Sequence, residues 1–273
     1  MFGVGVGIRV GGFTPISGGG GFDPDAQAFF DRVTTAGGTL TTTEKNATNQ
    51  LVLDMKSAGI WSAMKAIYPM VGASAAACAQ NLKSSSFTGT FFGGVTFAST
   101  GVTGNGITGY MTTGFNPFNE TTSSDGCLGY YSRTNNSSGG MAEIGAISSS
   151  PNPEKYFQIH ALIGGTTYLL PNIASAFISF SNSDSSGFFQ AFRTGTNSTE
   201  GRRNATAYTG SIGSATIPDY EAYVLARSLN GSANFFSDRQ CAFAYFGTSI
   251  TQTDAANYYT AVQAFQTTLS RNV

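Results

Sequence analysis

The stretch Lys155–Ile163, KYFQIHALI, alternates between two kinds of position along its whole length. Successive side chains of an extended chain point to opposite faces. One face would therefore carry Tyr156, Gln158, His160 and Leu162. The other would carry only apolar residues, Phe157, Ile159, Ala161 and Ile163. A period of two over this length predicts a β-strand whose apolar face is turned towards a core.

Similar short runs follow one another from about residue 87 to about residue 248. They are rich in aromatic and β-branched residues, and clusters of Gly, Ser, Asn and Thr separate them. Examples are TGTFFGGVTFAS, CLGYYSRT, GFFQAFRTG and CAFAYFGTS. Many short strands with turn signals at close spacing are typical of an antiparallel β-sandwich or barrel. The sequence therefore predicts a mainly β fold.

Helix signals precede this β region. In DPDAQAFFDRV, Asp23 can cap a helix and Pro24 suits its first position. Thr41 and Glu44 fit the capping box of a second helix. A third apolar stretch at helical spacing ends near Pro69, and we interpret it as core packing. Its stripe consists of Ile60, Met64, Ile67 and Val71.

The C-terminal segment predicts one more helix, with a single apolar stripe that must dock on another surface. The stripe is Ala255, Tyr258, Val262, Phe265 and Leu269. The nearest apolar partners along the chain are the N-terminal helices. We therefore expect four parts: an extended glycine-rich arm at 1–22, a helical segment at 23–82, a β-sandwich at 83–250, and a helix at 251–273 that packs on the N-terminal helices.

Composition excludes several classes of function. Only 11% of the 273 residues are charged and the net charge is −1, so the chain lacks the basic surface that nucleic-acid binding needs. The most apolar stretch contains Lys65 and Pro69 and is too interrupted to span a bilayer. Three widely spaced cysteines and one histidine do not fit a zinc site. We expect no metal and no cofactor.

The sequence offers no clear catalytic constellation. Its single histidine, His160, lies inside a predicted strand, and no GxSxG motif accompanies it. Glycosidases need two acids that face each other across a cleft. Asp219 and Glu221 are the only pair at i, i+2 spacing in a candidate strand, and Glu143 is alone in MAEIGA. We therefore expect a protein that is not an enzyme.

One stretch combines the residue types that bind sugars. GYYSRTNNSSGG, residues 129–140, brings aromatic, guanidinium and amide side chains close together. The candidate glycan-binding residues are Tyr130, Tyr131, Arg133, Asn135 and Asn136. The alternative interpretation is a structural hairpin with an Asn/Ser/Gly tip.

Several motifs, spread in order over residues 23–273, are informative as a set. They are DPDAQAFFDRV, NQLVLDMKSAGIWSAMKAIYPMVG, LGYYSRTN, EIGAISSS, FFSDRQCAFAYFGTSIT and YYTAVQAFQTTL. Together they resemble a family of bacteriophage virion-surface proteins found in tail fibres, baseplates, spikes and head fibres. The resemblance implies a concanavalin-like (jelly-roll), lectin-like sandwich and a location on the virion, and it identifies no ligand. We expect the sandwich to serve attachment to a host-surface glycan. The family has no agreed catalytic residues.

The opening MFGVGVGIRVGG alternates glycine with apolar residues, and SGGGG follows it as a flexible joint. No basic region with an unbroken apolar stretch opens the chain, so we expect no signal peptide and synthesis in the host cytoplasm. On the resemblance, the arm would anchor the protein to other virion proteins or to sister subunits of a homo-oligomer, with a trimer favoured. The arm contacts would come from Val4, Val6, Ile8 and Val10.

Three alternatives remain open at the level of sequence. The same sandwich could carry a polysaccharide depolymerase, a glycoside hydrolase or lyase. The chain could instead be a capsid decoration protein. The arm itself could be a disordered tail.

Overall fold

The computed structural model describes residues 21–137, 139–150, 153–174, 177–211 and 216–273. The predicted arm contacts Val4, Val6, Ile8 and Val10 lie outside the described residues. The helices are α1 (Pro24–Thr35), α2 (Thr42–Ser57), α3 (Ala75–Cys78), α4 (Pro117–Glu120) and α5 (Gln252–Thr268). Within the described ranges, no helix is both long and apolar enough to cross a membrane.

The strands run through the rest of the chain. The first eight are β1 (Met64–Tyr68), β2 (Thr90–Phe92), β3 (Val95–Ala98), β4 (Gly101–Gly104), β5 (Tyr110–Thr112), β6 (Gly126–Ser132), β7 (Ile144–Ser148) and β8 (Lys155–Ile163). The next five are β9 (Thr166–Ile173), β10 (Ile178–Ser181), β11 (Gly187–Arg193), β12 (Ser198–Arg203) and β13 (Thr206–Ser211). The last are β14 (Tyr223–Val224), β15 (Arg227–Leu229), β16 (Ser232–Asn234) and β17 (Cys241–Gly247).

Two sheets face each other as a β-sandwich, which confirms the predicted fold class. In the first sheet the order is β13-β12-β11-β6-β17-β4-β3, and β1 also pairs with β17. In the second sheet the order is β10-β9-β8-β7-β14-β5-β2. These pairings are antiparallel. The hairpin β15–β16 joins the second sheet through a parallel pairing of β15 with β7.

The sandwich interior confirms the predicted alternation from Tyr156 to Ala161. The predicted core position of Ile163 is wrong: the register of β8 with β9 shifts after His160, and Ile163 is half-buried outside the core. Phe157, Ile159 and Ala161 are fully buried in the core between the sheets. Residues of the first sheet complete this core, among them Tyr130, Phe189 and Phe246. Tyr156, Gln158 and His160 consequently lie on the opposite, outer face of the second sheet.

The outer face of the first sheet is covered by helices. Tyr258 and Phe265 of α5 pack their rings against Phe243 of β17 at 6.0 and 6.1 Å between centroids. Phe188 of β11 and Tyr245 of β17 belong to the same apolar cluster. Helix α5 also packs on α2. The central strands of the first sheet are therefore buried on both faces.

Local signals fixed the helix ends. The Asp23 side chain accepts a hydrogen bond from the Asp25 amide, and Pro24 opens α1. Thr41 and Glu44 form the predicted capping box of α2. These caps satisfy amide groups that a helix N-terminus leaves without intrahelical partners.

The helical interpretation of residues 60–71 is wrong. Residues Trp61–Ala63 form a single 3₁₀ turn, and the chain then becomes strand β1, which pairs with β17. A bulge between Met64 and Ala66 shifts the register, and the strand is buried on both faces. A strand buried on both faces has no polar side, so its apolar spacing can imitate a helix. The stripe residues are nevertheless core residues, as expected.

The C-terminus is held by a buried arginine just beyond α5. Arg271 is fully buried and donates hydrogen bonds to the carbonyls of Met70, Pro69 and Ala242 at 2.8 to 3.0 Å. Its Nε donates to Gln266 Oε1 at 2.7 Å. Burial lowers the pKa of Arg271 to about 10, so it remains charged at neutral pH. This one side chain ties α5 to β17 and to the end of β1.

We expect Arg271→Met to lower the free energy of unfolding by about 3 kcal/mol or more, because several buried acceptors lose a charged donor. Urea unfolding measures the change. Lys65→Met is the control, since Lys65 is 40% exposed and its ion pair with Glu120 spans 3.9 Å. Such an exposed pair contributes at most about 1 kcal/mol. Equal losses for the two variants would contradict a clamping role for Arg271.

Candidate functional site

Five aromatic rings and one guanidinium form a continuous patch on the outer face of the second sheet, which we call the aromatic cluster. Its members are Tyr156, His160, Tyr168, Phe177, Arg227 and Phe235. Phe177 and Phe235 are 40% and 41% exposed. Exposed rings that touch one another on a single face mark a surface available to a ligand.

Strands β8 and β9 present the first part of the cluster. Their register places His160 opposite Tyr168, and the two rings meet edge to face with centroids 6.3 Å apart. Phe177 stands immediately before β10 and contacts Tyr156 at 5.3 Å and Tyr168 at 6.5 Å. Because the paired strands β8 and β9 carry Tyr156, His160 and Tyr168, the backbone sets the spacing of these three rings.

The hairpin β15–β16 supplies the polar edge. Its two-residue turn is Asn230-Gly231, with φ of 49° and 86°. Asn-Gly is the preferred dipeptide for a hairpin turn with two positive φ angles. The resulting register sets Arg227 opposite Asn234, and Arg227 Nε donates to Asn234 Oδ1 at 3.0 Å.

Phe235 contacts both parts of the cluster, and its backbone conformation is unfavourable. Its φ is 54°, in the left-handed region that bulky residues rarely adopt. Its carbonyl accepts the Ala142 amide at 2.8 Å. Its ring lies 6.4 Å from the His160 ring and 3.9 Å from the Arg227 guanidinium carbon. Phe87 and the buried Leu225 also have positive φ, so the contacts of the Phe235 ring, rather than its backbone, indicate its role.

The protonation states of the cluster follow from burial and contacts. His160 Nδ1 lies 2.6 Å from the Met141 carbonyl, which can only accept, so Nδ1 carries the hydrogen. Burial lowers the pKa of His160 to about 4, and the imidazole is neutral at physiological pH. The Tyr156 hydroxyl donates to the Glu154 carboxylate. Partial burial and this contact raise the pKa of Tyr156 to about 12. Arg227 is therefore the cation of the cluster.

A second group of rings lies on the same face, nearer to β2. Tyr110 of β5 stacks on Phe92 at 5.2 Å and contacts Tyr223 at 5.1 Å and Phe236 at 5.9 Å. Phe92 is 44% exposed. Phe236 directly follows Phe235, so the chain segment after β16 contributes to both groups.

Tyr130 and Tyr131 do not form a surface site. Both are fully buried on β6, Tyr130 in the core between the sheets and Tyr131 beneath the helices. The Tyr130 hydroxyl donates to the Arg239 carbonyl, and the Tyr131 hydroxyl donates to Gln263 of α5 at 3.0 Å. The prediction that these rings face a glycan is wrong, because the opposite sheet covers Tyr130 and the helices cover Tyr131.

The other three candidate glycan residues belong to a braced loop after β6. Arg133 donates to the Arg271 carbonyl and to Gln240 Oε1, both at 2.6 Å. The Asn135 side chain accepts the Ser185 amide at 3.2 Å, and the Asn136 amide donates to Ser185 Oγ at 2.8 Å. Gly140, near the end of the same loop, lies beside the Phe235 ring of the aromatic cluster. Glycan binding by these three residues stays a prediction.

The three acids considered for catalysis occupy structural positions. Glu143 and Arg239 are fully buried and form an ion pair at 2.5 Å. Burial raises the pKa of Glu143, and contact with Arg239 opposes that rise. Glu221 accepts the amides of residues 113 and 114, where β5 ends. Asp219 accepts a hydrogen bond from Asn116 at 2.8 Å. Glu143 has no exposed surface on which to meet a substrate.

Two local patterns in the sequence indicate part of the aromatic cluster. The Asn230-Gly231 dipeptide between two short β-prone runs predicts a tight hairpin, which would have paired Arg227 with Asn234. The alternation of Lys155–Ile163 placed Tyr156 and His160 on one face. What no local pattern shows is that Phe177 and Phe235 reach the same face.

Comparisons with known proteins give distant structural likenesses. No family model and no curated protein matches the chain. One similar structure is domain 4 of AbnA, a GH43 extracellular arabinanase from Geobacillus stearothermophilus, in complex with arabinotriose. Its sequence is 8% identical, and the alignment covers 72% of this chain and 98% of that chain with a TM-score of 0.49. A Trypanosoma rangeli sialidase in complex with sialic acid is 12% identical, with 77% and 38% covered and a TM-score of 0.46. Similarity at this level does not assign an activity or a ligand to this chain.

His160 makes a specific contribution to acid sensitivity. Its pKa is lower in the folded protein, about 4, than the ordinary value of 6.5, so unfolding takes up a proton between these pH values. Stability from this group is present above about pH 6.5 and falls as pH decreases. As pH falls from 6.5 towards 4, the free energy of unfolding of wild type should therefore decrease by about 1.4 kcal/mol per pH unit more than that of His160→Gln. Urea unfolding at several pH values tests this, and parallel pH profiles would show that folding does not lower the pKa of His160.

Proposed function

We propose that this chain is a non-enzymatic glycan-binding protein of a bacteriophage virion surface and that the aromatic cluster is its sugar-binding site. The observation that carries the proposal is the cluster itself. It is contiguous and partly exposed, and the paired strands β8 and β9 hold its Tyr156, His160 and Tyr168 rings. The virion role is supported separately by the set of motifs in the sequence.

The chemistry of the cluster suits sugars. A sugar ring has an apolar face of C–H groups that can lie on an aromatic ring, and hydroxyls around its edge that need hydrogen-bond partners. Phe177 and Phe235 offer partly exposed rings. Arg227 and Asn234 lie beside Phe235 and carry polar groups for the hydroxyls.

Binding without cleavage is the simpler use of this surface. The buried Glu143 is unsuited to be one of two catalytic acids, because its carboxylate is already engaged by Arg239 and by the Ala161 amide. A depolymerase would need a facing pair of accessible acids. A capsid decoration protein would need no glycan contact at all, so a binding measurement separates that alternative.

Phe235→Asn should abolish glycan binding and leave the fold intact. The variant removes an exposed ring, while asparagine tolerates positive φ better than phenylalanine, so the melting temperature should be unchanged or higher. A glycan array, followed by calorimetry on the best-bound oligosaccharide, measures the loss. A single stacked ring contributes enough for a drop of roughly tenfold or more.

Phe118→Asn is the matched control, because Phe118 is 53% exposed and its ring lies outside the aromatic cluster. It should bind as wild type does. Unchanged binding by Phe235→Asn, or no glycan bound by wild type, would contradict the proposed site. Release of new reducing ends from a bound polysaccharide would contradict the non-enzymatic role.

The arm prediction has its own test. Deleting residues 1–20 removes Val4, Val6, Ile8 and Val10 and should leave a folded protein that still binds glycan. It should no longer be incorporated into particles, because the arm supplies the proposed contact to other virion proteins or sister subunits. Particle incorporation is measured by blotting purified virions. Normal incorporation of the truncated chain would overturn the anchoring role.

A further inference from the structure

Arg227 differs from the other described arginines in how its donors are used. In each of the others, at least one terminal guanidinium nitrogen donates a hydrogen bond within the chain. In Arg227 only Nε does so, to Asn234. Within the described part of the chain, its two terminal nitrogens have no acceptor.

The Arg227 guanidinium is nevertheless held in place. Its carbon lies 3.9 Å from the centre of the Phe235 ring, and its Nε is fixed by Asn234 across the hairpin. The side chain is only partly exposed. An arginine whose plane is stacked and whose inner edge is bonded presents its remaining donors in one orientation, so little conformational freedom is lost on binding.

Among the described residues, no carboxylate forms an ion pair with the Arg227 guanidinium. The negative charge of Glu154 acts from a distance against the lowering of the Arg227 pKa by burial, without an ion pair between the two described residues. The Glu154 carboxylate already accepts a hydrogen bond from the Tyr156 hydroxyl. His160 is neutral and adds no second positive charge. Partial burial lowers the pKa of Arg227 without discharging it, since arginine remains protonated in proteins.

We infer that the aromatic cluster selects sugars that carry a carboxylate, and that Arg227 is the residue that recognises this group; this rests on the proposed glycan-binding function. The terminal nitrogens of a guanidinium match the two oxygens of a carboxylate, and the paired hydrogen bonds are charge-assisted. The ring of the same sugar would lie on Phe235 or on the adjoining rings. A neutral sugar would meet the same rings but would leave the guanidinium without its anion.

The test compares acids with their neutral methyl esters, which keep the same sugar rings. The probes are oligogalacturonate and sialyllactose, each as free acid and as methyl ester, titrated by calorimetry at low salt. At least one acid should bind wild type at least about tenfold more tightly than its ester, as expected for charge-assisted hydrogen bonds. Arg227→Gln should lose about 10- to 100-fold in affinity for that acid and clearly less in affinity for the ester, which loses only its neutral hydrogen bonds to Arg227.

Two further variants isolate geometry from charge. Arg227→Lys keeps the positive charge but not the paired donors, so it should recover only part of the affinity for the acid. Arg203→Gln removes a partly exposed arginine that already pairs with Asp184, and it changes the net charge by the same amount as Arg227→Gln. It should bind as wild type does.

The possible failures are distinguishable. Equal affinity for acid and ester, with both bound, would overturn the selectivity for carboxylates and leave the glycan-binding function standing. If Arg203→Gln loses as much affinity for the acid as Arg227→Gln does, the loss comes from the change in overall charge, and the role of Arg227 is overturned. If none of these probes binds and the glycan array is also blank, both the inference and the proposed function fail.

Discussion

Burial of the first sheet on both faces is the constraint on which the rest of the structure depends. Its central strands β6, β11 and β17 contact the inter-sheet core on one side and the helices on the other. The C-terminal helix can cover this sheet because Arg271 fixes the chain beyond it to Ala242 and to the end of β1. The helices thus cover the outer face of the first sheet. The partly exposed rings of the aromatic cluster lie on the outer face of the second sheet, where strand alternation and pairing place them.

Much of the fold could be predicted from the sequence because its signals are local. The alternation in Lys155–Ile163, the capping box at Thr41 and the apolar stripe of α5 each depend on residues within a few positions of one another. The misread stretch was 60–71, where burial on two faces removed the polar period that identifies a strand. Its identity as a strand depends on pairing with β17, which lies far away in the sequence.

The site was less accessible to sequence analysis for the same reason. Tyr130 and Tyr131 stand beside polar residues in the sequence, and only the packing of α5 and of the opposite sheet reveals that they are buried. Phe177, Phe235 and Arg227 come from separate segments that meet through β9, the Asn230-Gly231 turn and the second sheet. Local composition finds residues of the right chemical type, whereas the side that they face is decided by long-range packing. The backbone strain at Phe235 is likewise invisible until φ is known.

Aromatic NMR resonances recorded during titration with a bound oligosaccharide test the account most directly, because they report which rings meet the sugar. The account predicts shifts of the rings of Phe177, Phe235 and Tyr156, with those of Tyr130 and Tyr131 unmoved. Shifts confined to the loop at 133–136, or to the rings near β2 with the aromatic cluster silent, would contradict it.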